Sequence, residues 1–316
     1  MVDQSDISDP AAQGRVSDAA AENWVDRHAP PWSQPMLRLS RADRPIGTWL
    51  LLIPCWWGLA LAAQTGGWNW FDLWLVTGCA LGAFLMRGAG CTWNDFTDRD
   101  VDGEVARTRS RPLPSGQITP MGALIWMCVQ ALIASLILFT FNTAAILLGI
   151  ASLALVAVYP FAKRFTWWPQ VFLGLAFNWG VLLLWTAKDG GLGVAAIFLY
   201  IAGIAWTLHY DTIYAHQDRE DDALIGVKST ARLFEEDTQR WLWVFTAMTG
   251  LLGASAVLAA GGGWISLLGL AAMLVHMAWQ ALALDIDDPD LCLRLFKSNR
   301  NAGFLLLAGL LLDSLI

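Results

Sequence analysis

Apolar residues run through this chain in long unbroken stretches, not in the two-residue alternation or the one-sided 3.6-residue period of strands and helices that face water. Charge-free runs cover residues 45–71, 112–162, 165–187, 190–210 and 241–284. A helix needs about 20 apolar residues to cross roughly 30 Å of hydrocarbon. Each short run therefore predicts one span. The two long runs predict two apiece, broken at Phe141-Asn142-Thr143 and Gly261-Gly262-Gly263, where turns form readily. A further span is expected over 71–90, carrying Arg87 near its end, and a short ninth over 301–316. The expected fold is all-α, a polytopic membrane protein of about nine transmembrane helices. Residues 1–37, with Asp, Ser, Ala and Gln and no apolar segment, read as a mobile cytoplasmic tail and not as a signal peptide. Residues 38–316 read as one membrane-embedded domain.

Composition agrees. Of 316 residues 56% are hydrophobic and 15% charged, with a mean hydropathy of +0.47, whereas a soluble domain carries about 25% charged residues. Too few ionic groups remain to cover a surface in water. The net charge of −7 argues against nucleic acid, whose phosphates call for a basic excess. Cys55, Cys79, Cys91, Cys128 and Cys292 form no C-x-x-C pair and have no histidine at metal-ligand spacing. They read as small buried apolar residues, neither disulfides nor zinc ligands.

Basic residues fix the expected sidedness. The N-terminal stretch holds Arg15, Arg27, Arg38, Arg41 and Arg44, and the second loop Arg99, Arg107, Arg109 and Arg111. Lys163 and Arg164 follow in the fourth loop, Arg219, Lys228, Arg232 and Arg240 in the sixth, and Arg294, Lys297 and Arg300 in the eighth. Of the 20 basic residues only Lys188 falls on the other side. The N-terminus and the even loops are expected in the cytoplasm, the C-terminus outside, and the membrane is expected to be the bacterial inner membrane. Trp68, Trp70, Trp167, Trp168, Trp185, Trp241 and Trp264 fall at predicted span ends, where an indole anchors at headgroup level.

Two cytoplasmic loops open on acids. The second begins NDFTDRDVD at 94–102 and the sixth YDTIYAHQDREDD at 210–222. If each preceding span continues as a helix, Asn94, Asp98 and Asp102 stand at i, i+4 and i+8, with Asp95 one step away. Asp218 and Asp222 are again four apart, with Asp211 seven before Asp218. Carboxylates stacked in this way repel, so a cation belongs between them. An all-oxygen donor set without imidazole or thiolate suits Mg²⁺, which keeps several waters and bridges to substrate phosphates. Recurrence of the cluster four spans later suggests duplicated four-helix units clamping one polyphosphate. Acid-rich loops can be merely solvated, but two clusters with the same spacing in corresponding loops make that the weaker explanation.

A diphosphate needs further cations on the same side. Tyr159 and Lys163 stand i, i+4 at the end of the fourth span with Arg164 adjacent, which aims Lys163 along a helix face. Arg107, Arg109 and Arg111 alternate along a stretch expected to be extended and held by Pro112 and Pro114, and the sixth loop adds Lys228 and Arg232. For each singly, positive-inside topology is the plainer explanation. Arg41, Asp43 and Arg44 precede Pro45, the expected first residue of the first helix. They read as surface charge and capping, or as recognition of a second anionic group. His209, His216 and His276 read as hydrogen-bonded packing residues.

At these residues the chain resembles the UbiA family of intramembrane prenyltransferases, and within it the branch acting on 4-hydroxybenzoate in ubiquinone synthesis. The likeness rests on RADRPIGTWLLLIP at 41–54, RGAGCTWNDFTDRDVDGEVARTRSRPLPSG at 87–116, YPFAKR at 159–164 and YDTIYAHQDREDDALIGVKSTARLF at 210–234. The family's N-x-x-x-D-x-x-x-D motif is met by Asn94, Asp98 and Asp102, its D-x-x-x-D by Asp218 and Asp222, and its Y-x-x-x-K by Tyr159 and Lys163. The resemblance implies that these acids hold Mg²⁺ and a polyprenyl diphosphate whose tail lies among the helices. The diphosphate departs, and the allylic cation is attacked by the ring carbon ortho to the hydroxyl of 4-hydroxybenzoate. It implies catalytic roles for Asp98, Asp102, Asp218, Asp222 and Lys163, and the ring proton leaves to a base for which Asp211, water and the diphosphate are the candidates. Substrate contacts would come from Asn94, Asp95, Tyr159, Arg164, Arg41, Arg44, Arg111, Lys228 and Tyr214. Trp93, Phe96, Tyr159 and Tyr214 offer ring faces to the cation. Membrane lipid is the remaining partner. Sister activities on other aromatic or tetrapyrrole acceptors share the acid motifs. A cation transporter would place its acids near mid-membrane, not beside Lys and Arg at span ends.

Overall fold

The computed structural model describes residues 19, 23–103, 108–219, 223 and 226–316, without the side chains of residues 100, 101 and 218. Among the described residues all regular structure is helical: α1 (Trp24–His28), α2 (Gln34–Leu39), α3 (Ile46–Gly66), α4 (Trp70–Asp102), α5 (Pro120–Leu138), α6 (Thr143–Phe165), α7 (Pro169–Asp189), α8 (Val194–Ala215), α9 (Thr230–Phe234), α10 (Thr238–Ala259), α11 (Trp264–Ala283) and α12 (Pro289–Asp313). Short 3-10 turns follow α8 at His216–Asp218 and α9 at Glu235–Asp237. Eight helices are long and apolar enough to cross a membrane. The ninth long helix, α12, has 25 residues, but Asp290, Arg294, Lys297 and Arg300 occupy its first half. The short span expected over 301–316 is thus the apolar end of a longer helix that starts at Pro289.

Other boundaries move for local reasons. The breaks at Asn142 and Gly261–Gly263 stand where expected, and Asn142 caps α6 by accepting from the Ala145 amide. Helix α5 begins at Pro120 and not at 112, because Pro112, Pro114 and Gly116, the last with φ of 74°, fold the intervening residues into hydrogen-bonded turns. Arg109 and Arg111, before it, are therefore not extended. Part of the expected N-terminal tail is helical: Asn23 caps α1, and α2 follows.

The chain divides into two compact units, residues 1–48 with 81–137 and residues 49–80 with 138–316. In the first, Leu39, Leu113 and Ala123 form a small core with Phe96, Ile118 and Trp126 packed against it. The outer face of α5 presents Ile125, Leu132 and Leu136 at helical spacing, exposed as lipid contact demands.

In the second unit α8 packs against α7, α10 and α12, α7 against α6, and α11 against α10 and α12. Gly269 of α11 and Gly309 of α12 touch so closely that a Cβ on either would fall 2.7 Å from the other's Cα, the backbone approach that small residues permit in lipid. Polar groups point inward: Asn178, Thr207, Gln280 and Asn299 are buried, while Leu147, Ile150 and Leu153 of α6 are exposed. Asn178 Nδ2 donates to Thr207 Oγ1 at 2.9 Å, and Trp206 Nε1 to Asn299 Oδ1 at 3.0 Å. Of the expected interfacial tryptophans, Trp70 and Trp264 are exposed at helix starts, but Trp185 is buried, and Trp168 and Trp241 pack edge to face beside Phe234. All five cysteines are free, and four are buried, Cys128 being exposed.

Candidate active site

In the first unit the site is built on α4. This helix runs 33 residues without a break, about 50 Å at 1.5 Å per residue, well beyond the roughly 30 Å of a hydrocarbon core. Its last turns thus leave the apolar run still helical, and Asn94, Asp98 and Asp102 share one face as expected. Asp98 and Asp102 are buried and Asn94 is half-buried, while Asp95 is wholly buried.

Two arginines reach these acids from different segments. Arg41 Nη2 donates to Asp95 Oδ1 at 2.5 Å. Arg111 Nη1 lies 2.7 Å from Asp102 Oδ2 and 3.4 Å from Asp95 Oδ1. Asp95 Oδ2, Arg41 Nη1 and Arg111 Nε have no hydrogen-bond partner among the described residues, so a buried acceptor and two buried donors remain available. Burial pushes the Asp102 carboxyl above its ordinary value against the pull of Arg111, with Asp95 and Asp98 adding to the rise. Burial likewise raises Asp43 to about 6, opposed by Arg41. Arg44 Nε lies 3.7 Å from the Asp43 carboxylate.

Arg41 is held in an uncommon backbone conformation, φ 59°, which costs a non-glycine residue about 1–2 kcal/mol. Phe96 stacks on Trp93 at 6.1 Å, and the Arg99 guanidinium lies 5.0 Å from the Phe96 ring centre. That face of Phe96 already holds a cation.

In the second unit, Tyr159 and Lys163 stand one turn apart at the end of α6, both half-buried, with Arg164 over Phe161 at 5.3 Å. The segment after residue 225 returns to this end. The Lys228 amide donates to the Lys163 carbonyl at 3.1 Å. The Thr230 and Thr212 hydroxyls meet at 2.7 Å, and the Thr230 amide donates to Gln170 Oε1 at 3.3 Å. Lys228 Nζ and Arg232 Cζ lie 5.9 and 5.4 Å from the Trp167 ring centre, so two cations share one indole. Asp211 and Tyr214 lie on α8, both half-buried, with the Tyr214 ring 4.4 Å from Phe296.

The second acid set is not a continuation of α8. That helix ends at Ala215 and passes into the 3-10 turn His216–Asp218, so Asp211 and Asp218 share no unbroken helical stripe. The Asp218 side chain, Asp222 and Arg107 lie outside the described residues. His209 is buried, with Nδ1 3.2 Å from the Leu242 carbonyl, a packing residue. His216 meets the Thr238 hydroxyl at 3.0 Å, and burial, then Arg219, lowers its pKa to about 4.

Among the described residues no three His, Cys, Asp or Glu stand close enough to cage a metal ion. The donors on α4 nevertheless fit Mg²⁺, which takes one or two carboxylates and completes its shell with water and phosphate oxygens. Sequence reading missed the residues that hold the neighbours of Arg41: Trp24 bonds the Ala42 carbonyl, and Trp126 and Gln130 bond the Ser40 hydroxyl, though none of the three carries a motif.

Comparison with known proteins accords with this arrangement. The model of the UbiA prenyltransferase family matches residues 51–307. A protein of Bos taurus named 4-hydroxybenzoate polyprenyltransferase, mitochondrial, is 48% identical over 295 residues, 92% of this chain and 78% of its own length. Its namesake in Aedes aegypti is 46% identical over 309 residues, 95% of this chain and 69% of its own. Among solved structures, the apo UbiA homologue of Aeropyrum pernix K1 superposes with a TM-score of 0.71 at 23% identity, over 84% of this chain and 97% of that one. A UbiA homologue of Archaeoglobus fulgidus, bound to GPP and Mg²⁺, gives 0.66 at 21%, over 89% and 100%. At such identities the two structures speak for the fold. With the family model covering residues 51–307 and relatives approaching half identity over nearly the whole chain, this integral membrane protein belongs to the UbiA prenyltransferase family.

Proposed function

We propose that this prenyltransferase moves a polyprenyl group from polyprenyl diphosphate to the ring carbon ortho to the hydroxyl of 4-hydroxybenzoate, the acceptor in its relatives' names. The observation that carries the reading is the α4 acid face. Three buried carboxylates on two successive turns are matched by the buried Arg41 and the half-buried Arg111, each with a donor unused among the described residues. Such a set suits a ligand that brings both negative charge and a divalent cation.

When bound, Mg²⁺ supplies Lewis-acid neutralisation of the leaving diphosphate. Asn94, Asp98 and Asp102 are proposed to hold it, and Asp218 and Asp222 take the same role on the sequence motif alone. Arg111, which stands between Asp102 and Asp95, is proposed to donate its remaining N–H to a diphosphate oxygen. Lys163, Arg164 and Lys228 serve as further cations for the leaving group. That assignment rests on the motifs and on their shared position at one end of the second unit. As the allylic C–O bond breaks, its electron pair goes to the diphosphate, whose growing charge these cations stabilise. The ring carbon then forms the new bond and gives up its proton, for which Asp211 is the proposed base. Tyr159 and Tyr214 are the proposed aromatic neighbours of the allylic cation, and Arg41 and Arg44 the proposed partners of a second anionic group. The membrane is proposed to be the bacterial inner membrane, with the site on its cytoplasmic side. The basic-residue bias supports that side, while the relatives are named mitochondrial.

The test is a membrane assay with 4-hydroxybenzoate and several polyprenyl diphosphates. Prenylated product should form only with divalent cation and vanish in Asp98→Ala. Turnover that persists in excess EDTA ends the metal role, and transfer to a different acceptor alone ends the benzoate assignment.

A further inference from the structure

Arg41 does not reach Asp95 unaided. Its left-handed backbone closes α2, the Arg41 amide donating to the Arg38 carbonyl at 3.0 Å and the Ala42 amide to the Leu37 carbonyl at 2.9 Å, and contacts on both flanks, all within the first unit, brace that turn. On one side the Ser40 hydroxyl donates to Gln130 Oε1 at 3.1 Å and accepts from Trp126 Nε1 at 2.8 Å, both from α5. Gly88 of α4 makes room for this knot, since a Cβ there would fall 2.0 Å from Gln130 Oε1 and 2.9 Å from Ser40 Oγ. On the other side Trp24 Nε1 donates to the Ala42 carbonyl at 2.7 Å. Helix α1, which carries Trp24, is itself tied down by the pair Arg38 Nη2 to Asp26 Oδ1 at 2.7 Å, both side chains nearly buried, and by Val25, fully buried. The residues on either side of Arg41 are thus pinned by elements far apart in sequence, and the guanidinium between them meets Asp95 at a distance of 54 residues along the chain.

We infer that α1 is a positioning element of the active site: the Trp24 indole holds the Arg41 turn, and through it the Arg41–Asp95 pair that shapes the acid face of α4. Trp24 touches no reacting group. It acts by adding to the helix-end hydrogen bonds of α2 a side-chain tie on the Ala42 carbonyl, since a non-glycine residue in the left-handed region persists only where its surroundings hold it. Released, the turn relaxes, Arg41 withdraws from Asp95, and Asp95 then competes for Arg111, the guanidinium that also serves Asp102. The segment read from sequence as a tail becomes part of the catalytic domain.

The inference rests on the acid face binding a metal–diphosphate, so its test reads the turn and the ligand separately. Trp24→Phe keeps an aromatic side chain while the indole and its N–H donor are lost, and Trp126→Phe does the same on the Ser40 side. In the full-length detergent-solubilised protein, hydrogen exchange over residues 40–44 should rise at least tenfold in Trp24→Phe. Affinity for inorganic diphosphate with Mg²⁺, measured by calorimetry, should fall about tenfold in both variants. In membranes the prenyl-diphosphate kcat/KM should fall with it, while the KM for the aromatic acceptor holds. Unchanged exchange in Trp24→Phe overturns the positioning role whether or not the wild type binds diphosphate. Faster exchange with undiminished diphosphate affinity reduces α1 to packing and also overturns it. A wild type that binds no diphosphate while Trp24→Phe still loosens the turn leaves the positioning intact and defeats the functional reading instead.

Discussion

One guanidinium, that of Arg111, stands 2.7 Å from Asp102 and 3.4 Å from Asp95, so a single cation separates two buried carboxylates seven residues apart on α4. Removing it leaves Asp95 with Arg41 but strips Asp102 of its ion-pair partner, which costs about 3–5 kcal/mol for a buried pair. Arg111→Ala should therefore lower the unfolding midpoint and weaken Mg–diphosphate binding together. Arg111→Lys should restore stability better than binding, because an ammonium balances charge but cannot fork between two carboxylates and a phosphate. Thermal unfolding and calorimetry on the same preparations check both. Equal recovery of the two properties by lysine would remove the forked role.

Asp43 predicts a pH effect on stability. Burial raises its pKa from the ordinary 3.8 to about 6 in the folded protein, so the native state favours the protonated form. Its stabilising share is complete below about 3.8 and is lost as pH rises through 6. Asp43→Asn should therefore gain stability over wild type at pH 7, by at most about 3 kcal/mol from a shift near two units. The two proteins should converge near pH 4. Unfolding midpoints at both pH values test this, and a difference between the proteins that does not change with pH contradicts it.

At the end of the second unit remote from Lys163, Lys188 Nζ lies 2.7 Å from Asp72 Oδ2, with both side chains almost wholly buried. Truncating one partner strands a charge. Lys188→Met should destabilise by about 3–5 kcal/mol, and Lys188→Met with Asp72→Asn should recover most of the loss. Unfolding in mixed detergent micelles reads this. A double variant no better than the single one would show that the pair is not the source.

Lys163, whose carbonyl anchors the segment at Lys228, carries a kinetic prediction. Lys163→Ala keeps that backbone bond and loses the side chain beyond Cβ with its ammonium, so the fold should stand. The kcat/KM for the prenyl diphosphate should fall by on the order of tenfold or more, about 1.4 kcal/mol or above, while the KM for the aromatic acid changes little. A defect confined to the aromatic acid reassigns Lys163 to the acceptor.

The sequence alone determined the long helices and the acid spacing, because both are local requirements. Lipid satisfies no backbone groups, so about 20 consecutive apolar residues must form a helix wherever they occur, and the breaks at Asn142 and Gly261 follow from turn chemistry. Asn94, Asp98 and Asp102 share a face once α4 is continuous, as the 3.6-residue period requires. What stayed hidden depends on which distant groups meet. Nothing local distinguishes Trp24 from a headgroup anchor or Trp185 from an interfacial one, yet the first holds the Ala42 carbonyl and the second is buried. Motif spacing ran α8 on to Asp218, whereas the helix gives way to a 3-10 turn after Ala215. The alternating arginines read as an extended stretch, whereas Arg109 and Arg111 lie in turns, and Arg111 comes back to Asp102. A side chain's charge is written in the sequence, but its partner is chosen by the path of the backbone between them, which only the packed structure fixes.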